Sequence, residues 1–193
     1  MLDDESLISR FYSLVSPEIA SDLAASISSA AQNDGELDSY WDKIKSLWEW
    51  RLDAVASGYD EYESEFRQFL SCARYVDTAR LPDEKELIVR SFEYIADNRM
   101  IWRRIEEWLA EESVRYPETS IQLYQTLVET VPVDEWAMTA MDSQEDQRQT
   151  IYQNAVSSSD NARQMALRVA NRFAAEHYEM DREFLDAHFG SNL

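Results

Sequence analysis

The chain has 193 residues, of which 45% are hydrophobic and 12% aromatic, so it is long enough and apolar enough to bury a substantial core. Its 38 acidic and 18 basic residues give a net charge of -20, which opposes nucleic-acid binding because phosphate contacts need clustered Lys and Arg. The single cysteine, Cys72, excludes an intramolecular disulfide and a zinc site made of several cysteines.

The first predicted helix begins at Ser16-Pro17, a capping serine before a proline, and runs to about Gln32. A second helix follows the cap candidate Asp38 and ends at Gly58, and a third opens at Asp60. The second and third segments each carry a strong apolar face, and the two faces are Trp41, Ile44, Leu47, Trp48, Leu52 and Val55, then Tyr62, Phe66, Phe69, Leu70, Ala73 and Val76.

A break at 81–83 precedes the next helix, where Asp83 and Glu86 resemble a capping arrangement. Later helices are predicted to end before Pro117 and Pro132, and the last long one follows Ser159-Asp160. The faces of the later segments are Leu87, Ile88, Phe92, Ile95 and Ala96; Ile101, Trp102, Ile105, Trp108 and Leu109; Ile121, Tyr124, Leu127 and Val128; Ile151 and Ala155; Ala162, Ala166, Val169 and Phe173; and Phe184, Leu185 and Phe189.

This spacing predicts an all-α fold. With 3 Gly and 4 Pro the loops are short, and no strand pattern competes. Neighbouring helices would pair into units of about 35 to 45 residues, the period of α-solenoids of the HEAT and armadillo type. We therefore expect a right-handed stack of antiparallel helix pairs, with a compact helical bundle as the alternative. One domain is predicted over 1–193, with capping helices in 1–35, stacked pairs in 36–178 and a short C-terminal helix in 179–193.

Three segments resemble the C-terminal helical-repeat regions of large prokaryotic multidomain proteins of the NTPase or defence type, including haloarchaeal ones. They are WDKIKSLWEWRL at 41–52, IEEWLAEESVRYPETSIQLYQTLVET at 105–130, and the helix, Ser-Asp turn and helix at 149–173. In such proteins the repeats follow a nucleotide-hydrolysing or effector domain and serve sensing or scaffolding. The resemblance implies a non-enzymatic interaction module, and none of its motifs is catalytic.

The surface charge also indicates a working environment. Lysine is almost absent, since Lys43, Lys45 and Lys85 are the only lysines and the remaining basic residues are arginines. Carboxylates spread over nearly every helix are typical of proteins in concentrated salt, which screens their repulsion. Because the chain opens Met-Leu-Asp-Asp-Glu and contains no long apolar run, we expect a halophilic, cytoplasmic protein with no membrane partner.

No cofactor site is expected, because the glycines are too scattered to cradle a phosphate. His177 and His188 are surrounded by carboxylates and indicate the alternative function, that of a small helical metal-binding or hydrolytic protein. The spacing of di-iron and zincin ligands is missing around both, so no metal is predicted. The pairs Glu106-Glu107 and Glu111-Glu112 are interpreted as a solvated helix face.

Most tryptophans lie on the apolar stripes and are assigned to packing. Trp50 and Trp136 lie off these stripes. Three arginines form the clearest basic cluster of the sequence. The predicted surface for a protein partner, or for other domains of a larger assembly, therefore consists of Trp50, Arg51, Arg99, Arg103, Arg104, Trp136, Met138 and Met141.

Overall fold

The computed structural model describes residues 37–56, 63–73, 81–95, 99–130, 143–176 and 179–189, and the single positions 19, 22, 25, 26 and 29. These residues contain helices and no strand, so the prediction of an all-α fold is confirmed. The helices are α1 (Leu37–Ala56), α2 (Glu63–Ala73), α3 (Leu81–Phe92), α4 (Arg99–Ser113), α5 (Pro117–Thr130), α6 (Ser143–Val156), α7 (Asp160–Ala175) and α8 (Glu179–Phe189).

Contacts along the chain divide it into two compact units, Met1–Ile95 and Ala96–Leu193. Unit 1 contains α1 to α3, and unit 2 contains α4 to α8. The single domain over 1–193 stays a prediction, and most of the predicted capping segment 1–35 lies outside the described residues. The helix α8 lies within the segment predicted to hold a short C-terminal helix.

The predicted apolar stripes form the core. Every stripe residue whose side chain is described is buried, from Trp41, Ile44 and Trp48 on α1 to Phe184 and Leu185 on α8. The four tryptophans assigned to packing are all at most 4% exposed, and they are Trp41, Trp48, Trp102 and Trp108. The helical spacing of apolar residues therefore predicted which face of each helix is buried.

In unit 1, α1 packs against α2 and α3, and two buried tryptophans of α1 donate hydrogen bonds to α3. Trp41 Nε1 donates to Glu84 Oε1 at 3.1 Å, and Trp48 Nε1 donates to Ser91 Oγ at 2.8 Å. Lys45 Nζ lies 2.9 Å from the second oxygen of Glu84, so that carboxylate has a cation beside it. Trp48 follows Trp41 on α1, and its partner Ser91 follows Glu84 on α3, so these two helices run parallel.

Aromatic rings also contact one another in the unit 1 core. The Trp48 ring stacks on Phe69 of α2 with centroids 5.8 Å apart, and Phe66 stacks on Tyr94 at 4.7 Å. Trp48 thus joins α1 to both other helices, through its ring face to α2 and its N–H to α3.

In unit 2, α4 packs against α5 and α6, while α7 packs against α5, α6 and α8. Asn154 Nδ2 of α6 donates to Ser113 Oγ of α4 at 2.8 Å, and Arg148 Nε of α6 lies 4.0 Å from Glu106 Oε1 of α4. Ser113 follows Glu106 on α4, and its partner Asn154 follows Arg148 on α6, so α4 and α6 run parallel. On α5 and α7, Asn161 Nδ2 donates to Glu118 Oε1 at 2.7 Å.

The helix starts test the capping predictions. Ser159 caps α7, and its side chain accepts a hydrogen bond from the backbone N–H of Ala162 at 3.1 Å, so the helix begins at Asp160, inside the Ser159-Asp160 pair that was predicted to precede it. The predicted break at 81–83 was wrong, because α3 begins at Leu81 and includes Pro82 in its first turn. A proline is accepted there since the first turn of a helix makes no use of its backbone N–H.

Ser91→Ala removes the acceptor of the Trp48 N–H and leaves that donor buried without a partner. We expect the free energy of unfolding to fall by about 1 to 3 kcal/mol, the penalty for an unsatisfied buried polar group. Ser46→Ala is the matched control, because Ser46 is exposed and donates a hydrogen bond to the Asp42 carbonyl of its own helix. Urea denaturation followed by circular dichroism measures both; equal, small losses would show that the Trp48–Ser91 bond does not stabilise unit 1.

Candidate functional site

Unit 2 contains a cluster of buried polar side chains at the meeting point of its helices. We call it the polar cluster, and its members are Glu106 on α4, Tyr124 on α5, Arg148 and Tyr152 on α6, and Asp181 on α8. None of the five is more than 4% exposed. Buried ionisable groups are rare unless they are paired, so this cluster is the strongest chemical feature among the described residues.

Arg148 and Asp181 form the ion pair of the cluster. Arg148 Nη1 donates to Asp181 Oδ2 at 3.1 Å, and Tyr152 OH donates to Asp181 Oδ1 at 2.8 Å. Both carboxylate oxygens of Asp181 therefore accept a hydrogen bond. A fully buried carboxylate is stable only with such partners.

Glu106 is the second carboxyl group of the polar cluster. Its Oε1 accepts a hydrogen bond from Tyr124 OH at 2.6 Å and lies 4.0 Å from Arg148 Nε. No described residue donates a hydrogen bond to its Oε2, which is buried. Arg148 is thus closer to Asp181 than to Glu106, so a negative charge on Glu106 is neutralised less than the charge on Asp181.

The surroundings of the polar cluster are apolar. The Arg148 guanidinium lies over the Phe173 ring of α7, with its carbon 4.2 Å from the ring centroid. The rings of Tyr152 and Phe184 lie 4.8 Å apart, and Tyr124 lies 6.4 Å from Tyr152. These rings exclude water, which strengthens each pairing and raises the free energy of any charge left without one.

The environment shifts the ionisation of the polar cluster. Burial raises the pKa of Glu106 from 4.5 to about 7, although Arg148 and the hydrogen bond from Tyr124 lower it in part. Burial also raises the pKa of Tyr124 and of Tyr152, so both phenols stay neutral and act as donors. Burial alone would lower the pKa of Arg148, but the phenols and carboxylates around it raise the value, so Arg148 stays charged. Near neutral pH, Glu106 is therefore the member that exchanges a proton.

The interpretation of Glu106 as part of a solvated helix face was wrong. Glu106 is 1% exposed and Glu112 is 7% exposed, whereas Glu111 is exposed as predicted. Glu106 follows Trp102 by four residues and precedes Leu109 by three, so it lies on the buried side of α4. This spacing relative to Trp102 and Leu109 was the sequence signal for the burial of Glu106. The many acidic residues of the chain made an exposed position the more obvious interpretation.

Besides the contacts of Asp181, two arginine hydrogen bonds attach α8 to α7. Arg163 Nη2 of α7 donates to the His188 carbonyl at 3.2 Å, and Arg182 Nε donates to the Ala174 carbonyl at 3.3 Å. His188 Nδ1 lies 3.0 Å from the Phe184 carbonyl, and its ring packs on Phe184 at 4.5 Å.

The alternative metal site involves His177, which lies outside the described residues. Within the described ranges, no three His, Cys, Asp or Glu residues come together in a way that could hold a metal ion. The side chain of Cys72 is also outside them, although its backbone belongs to α2.

The predicted partner surface is only partly described. Arg103 and Arg104 are exposed on α4, and Arg103 Nε pairs with Glu107 Oε1 at 3.2 Å. Trp50 is half-buried on α1, and Arg51 is 4% exposed, which leaves little of that side chain for a partner to reach. The side chains of Arg99, Trp136, Met138 and Met141 lie outside the described residues. Arg103 and Arg104 are therefore the members that the structure places together on an exposed face.

Comparison with known proteins gives no relative, because no family model, no curated protein and no solved structure matches the chain. Of the helices that the structure describes, none is both long and apolar enough to cross a lipid bilayer.

The geometry of the polar cluster supports binding and release of a proton. Displaced pKa values occur both at functional sites and in structural ion-pair networks. Here the members come from α4, α5, α6 and α8, and each polar contact described above joins two helices or two turns of unit 2. The cluster is therefore a structural junction with one titratable group in it.

Arg148→Met tests this junction. Removing the guanidinium leaves Asp181 buried without its cation, and breaking a buried ion pair in this way costs about 3 to 5 kcal/mol. Methionine keeps an apolar contact with Phe173. We expect a loss of that size in urea denaturation, while Arg168→Met, on the exposed face of α7, should change stability by less than about 0.5 kcal/mol.

A triple variant distinguishes stranded charge from lost packing. Combining Arg148→Met with Glu106→Gln and Asp181→Asn removes every formal charge of the polar cluster. Part of the lost stability should return, because no buried charge is then left without a counter-ion, and an unpartnered buried charge costs more than a buried neutral amide. A triple variant as unstable as Arg148→Met alone would show that the loss comes from packing around the guanidinium.

Proposed function

We propose that the chain is a non-enzymatic helical-repeat module that offers a protein-interaction or scaffolding surface, with its helices stacked as HEAT-like pairs in a protein adapted to high salt. The observation that carries this proposal is the repetition of helix pairs in unit 2. The helix α6 begins at residue 143, 44 residues after α4 at 99, and α7 begins at 160, 43 residues after α5 at 117.

The neighbours of each helix also favour stacked pairs. The first helices of the two pairs, α4 and α6, contact each other and run parallel, and the second helices, α5 and α7, also contact each other. In stacked repeats, equivalent helices of successive pairs pack side by side in this way. In an up-down-up-down bundle, the first and third helices usually face each other diagonally across the core; a compact helical bundle remains the alternative architecture.

The distribution of charged groups agrees with a binding role. The polar cluster connects helices inside unit 2, while the outer face of α4 presents Arg103 and Arg104. In a chain of net charge -20, an exposed basic pair is a distinctive feature, and a partner that covers it would offer carboxylates. The partner is therefore proposed to be a protein with an acidic patch, or another domain of the same assembly.

A photo-crosslinking amino acid at position 104 tests the surface. In native-host extract at molar KCl, we expect it to capture a protein that the same group at position 168, on the exposed face of α7, does not capture. With that protein purified, Arg104→Glu should weaken binding at least tenfold, about 1.4 kcal/mol, because it places like charges together. Arg168→Glu, with the same charge change on the α7 face, should leave affinity within about twofold; equal effects of both variants would exclude this face of α4.

The salt adaptation has its own test. Exposed carboxylates occur on α4, α5, α7 and α8, with examples at Glu111, Glu118, Asp160 and Glu179. We expect the melting temperature to fall as KCl is lowered from about 3 M to 0.1 M, because the Debye length grows from under about 3 Å to about 10 Å. A variant with Glu86, Glu111 and Glu129 changed to Lys should lose less stability on dilution, since these positions are exposed and each change raises the net charge by two. A melting temperature that does not depend on KCl would contradict the halophilic proposal.

A further inference from the structure

We propose that the proton on Glu106 controls how firmly α8 is held to the rest of unit 2. The proposal rests on the arrangement of two buried carboxyl groups around one guanidinium. Asp181 belongs to α8, Glu106 belongs to α4, and Arg148 of α6 lies between them, 3.1 Å from the first and 4.0 Å from the second.

When Glu106 carries its proton, the polar cluster contains one anion and one cation. Arg148 is then available to Asp181, and the ion pair holds α8. When Glu106 loses the proton, a second carboxylate competes for the same guanidinium in surroundings that admit no water. The Arg148–Asp181 pair weakens, and with it the attachment of α8.

The charged and titratable groups around Glu106 come from each element that contributes to the polar cluster. Tyr124 faces it from α5, Arg148 and Tyr152 belong to α6, Asp181 to α8, and Glu107 follows it on α4. Arg148 and Tyr124 favour the carboxylate, whereas Asp181 and Glu107 oppose it, and burial opposes it most. The helix α7 contributes the Phe173 ring, which does not titrate. Asp181 is thus the group through which α8 affects the proton on Glu106.

Linkage fixes the direction of the effect. With α8 attached, the pKa of Glu106 is about 7, above its ordinary value of 4.5. Departure of α8 removes Asp181 and admits water, and both changes lower that pKa. The attached state therefore holds the proton more tightly, so attachment is strongest at low pH, weakens as the pH rises towards about 7, and changes little above that.

Hydrogen exchange of the full chain, followed by mass spectrometry between pH 5 and 8 at constant salt, tests the proposal. After correction for the intrinsic pH dependence of exchange, the opening equilibrium of peptides from α8 should rise by up to about tenfold per pH unit up to pH 7 and then level off. Peptides from α5, which is not attached through Asp181, should show a smaller rise. Parallel behaviour of α5 and α8 would overturn the proposal, because it would indicate opening of the whole unit.

Two variants separate the proton on Glu106 from other causes. Glu106→Gln cannot titrate, so the rise at α8 should disappear, while Glu111→Gln, an exposed position on the same helix, should keep it. Glu106→Gln leaves His188 and the carboxylates of α8 in place, so an unchanged rise in that variant would assign the effect to them and overturn the proposal.

Tyr124→Phe gives a second, independent test if Glu106→Gln does not fold. It removes the hydrogen bond to Glu106 Oε1, which favours the carboxylate, so the pKa of Glu106 should increase. The pH above which α8 exchange stops rising should then be higher than in the unmodified chain. A purely structural role for Tyr124 predicts faster exchange at every pH with no shift of this point, and that result would also overturn the proposal.

Discussion

Two buried carboxyl groups share one guanidinium in unit 2, and the packing of its helices depends on that arrangement. Arg148 comes from α6, which has few apolar residues of its own to bury, and it reaches Asp181 on α8 and Glu106 on α4. The ring of Phe173 brings α7 to the same point. An apolar core tolerates many packings of similar energy, whereas a buried ion pair is satisfied in few geometries. The polar cluster therefore favours one arrangement of the five helices over its apolar alternatives.

Unit 1 handles its buried polar groups differently. Trp48 donates to the neutral Ser91, and the carboxylate of Glu84 lies beside Lys45, whose side chain is 34% exposed. Because water reaches that lysine, the Glu84 pair has a partly hydrated partner. Glu106 has no such partner: its nearest cation is buried and is already bonded to Asp181. The same residue type on a similar helix stripe thus gives an ordinary ion pair in one unit and a proton-binding group in the other.

The sequence was sufficient to predict the helices and most of the core, because apolar periodicity reports directly which face of a helix is buried. It also placed the start of a helix directly after Ser159-Asp160, within two residues of where α7 begins. It was insufficient for Glu106. In a chain with this many acidic residues, a glutamate among the apolar positions of a helix is normally assigned to the solvent-exposed face. Its burial depends on Tyr124 and Arg148, which approach from two other helices. The two partners lie 18 and 42 positions further along the chain, and no local pattern encodes these contacts.

The two electrostatic features of the chain respond to different solution variables. Exposed carboxylates interact through water, so added salt screens them within a few ångströms. The polar cluster is surrounded by aromatic rings, and mobile ions have little access to it, so salt leaves its interactions nearly unchanged. Its charge changes instead when a proton binds to Glu106. Ionic strength therefore acts on the repulsion between surface carboxylates, whereas pH acts on the attachment of one helix.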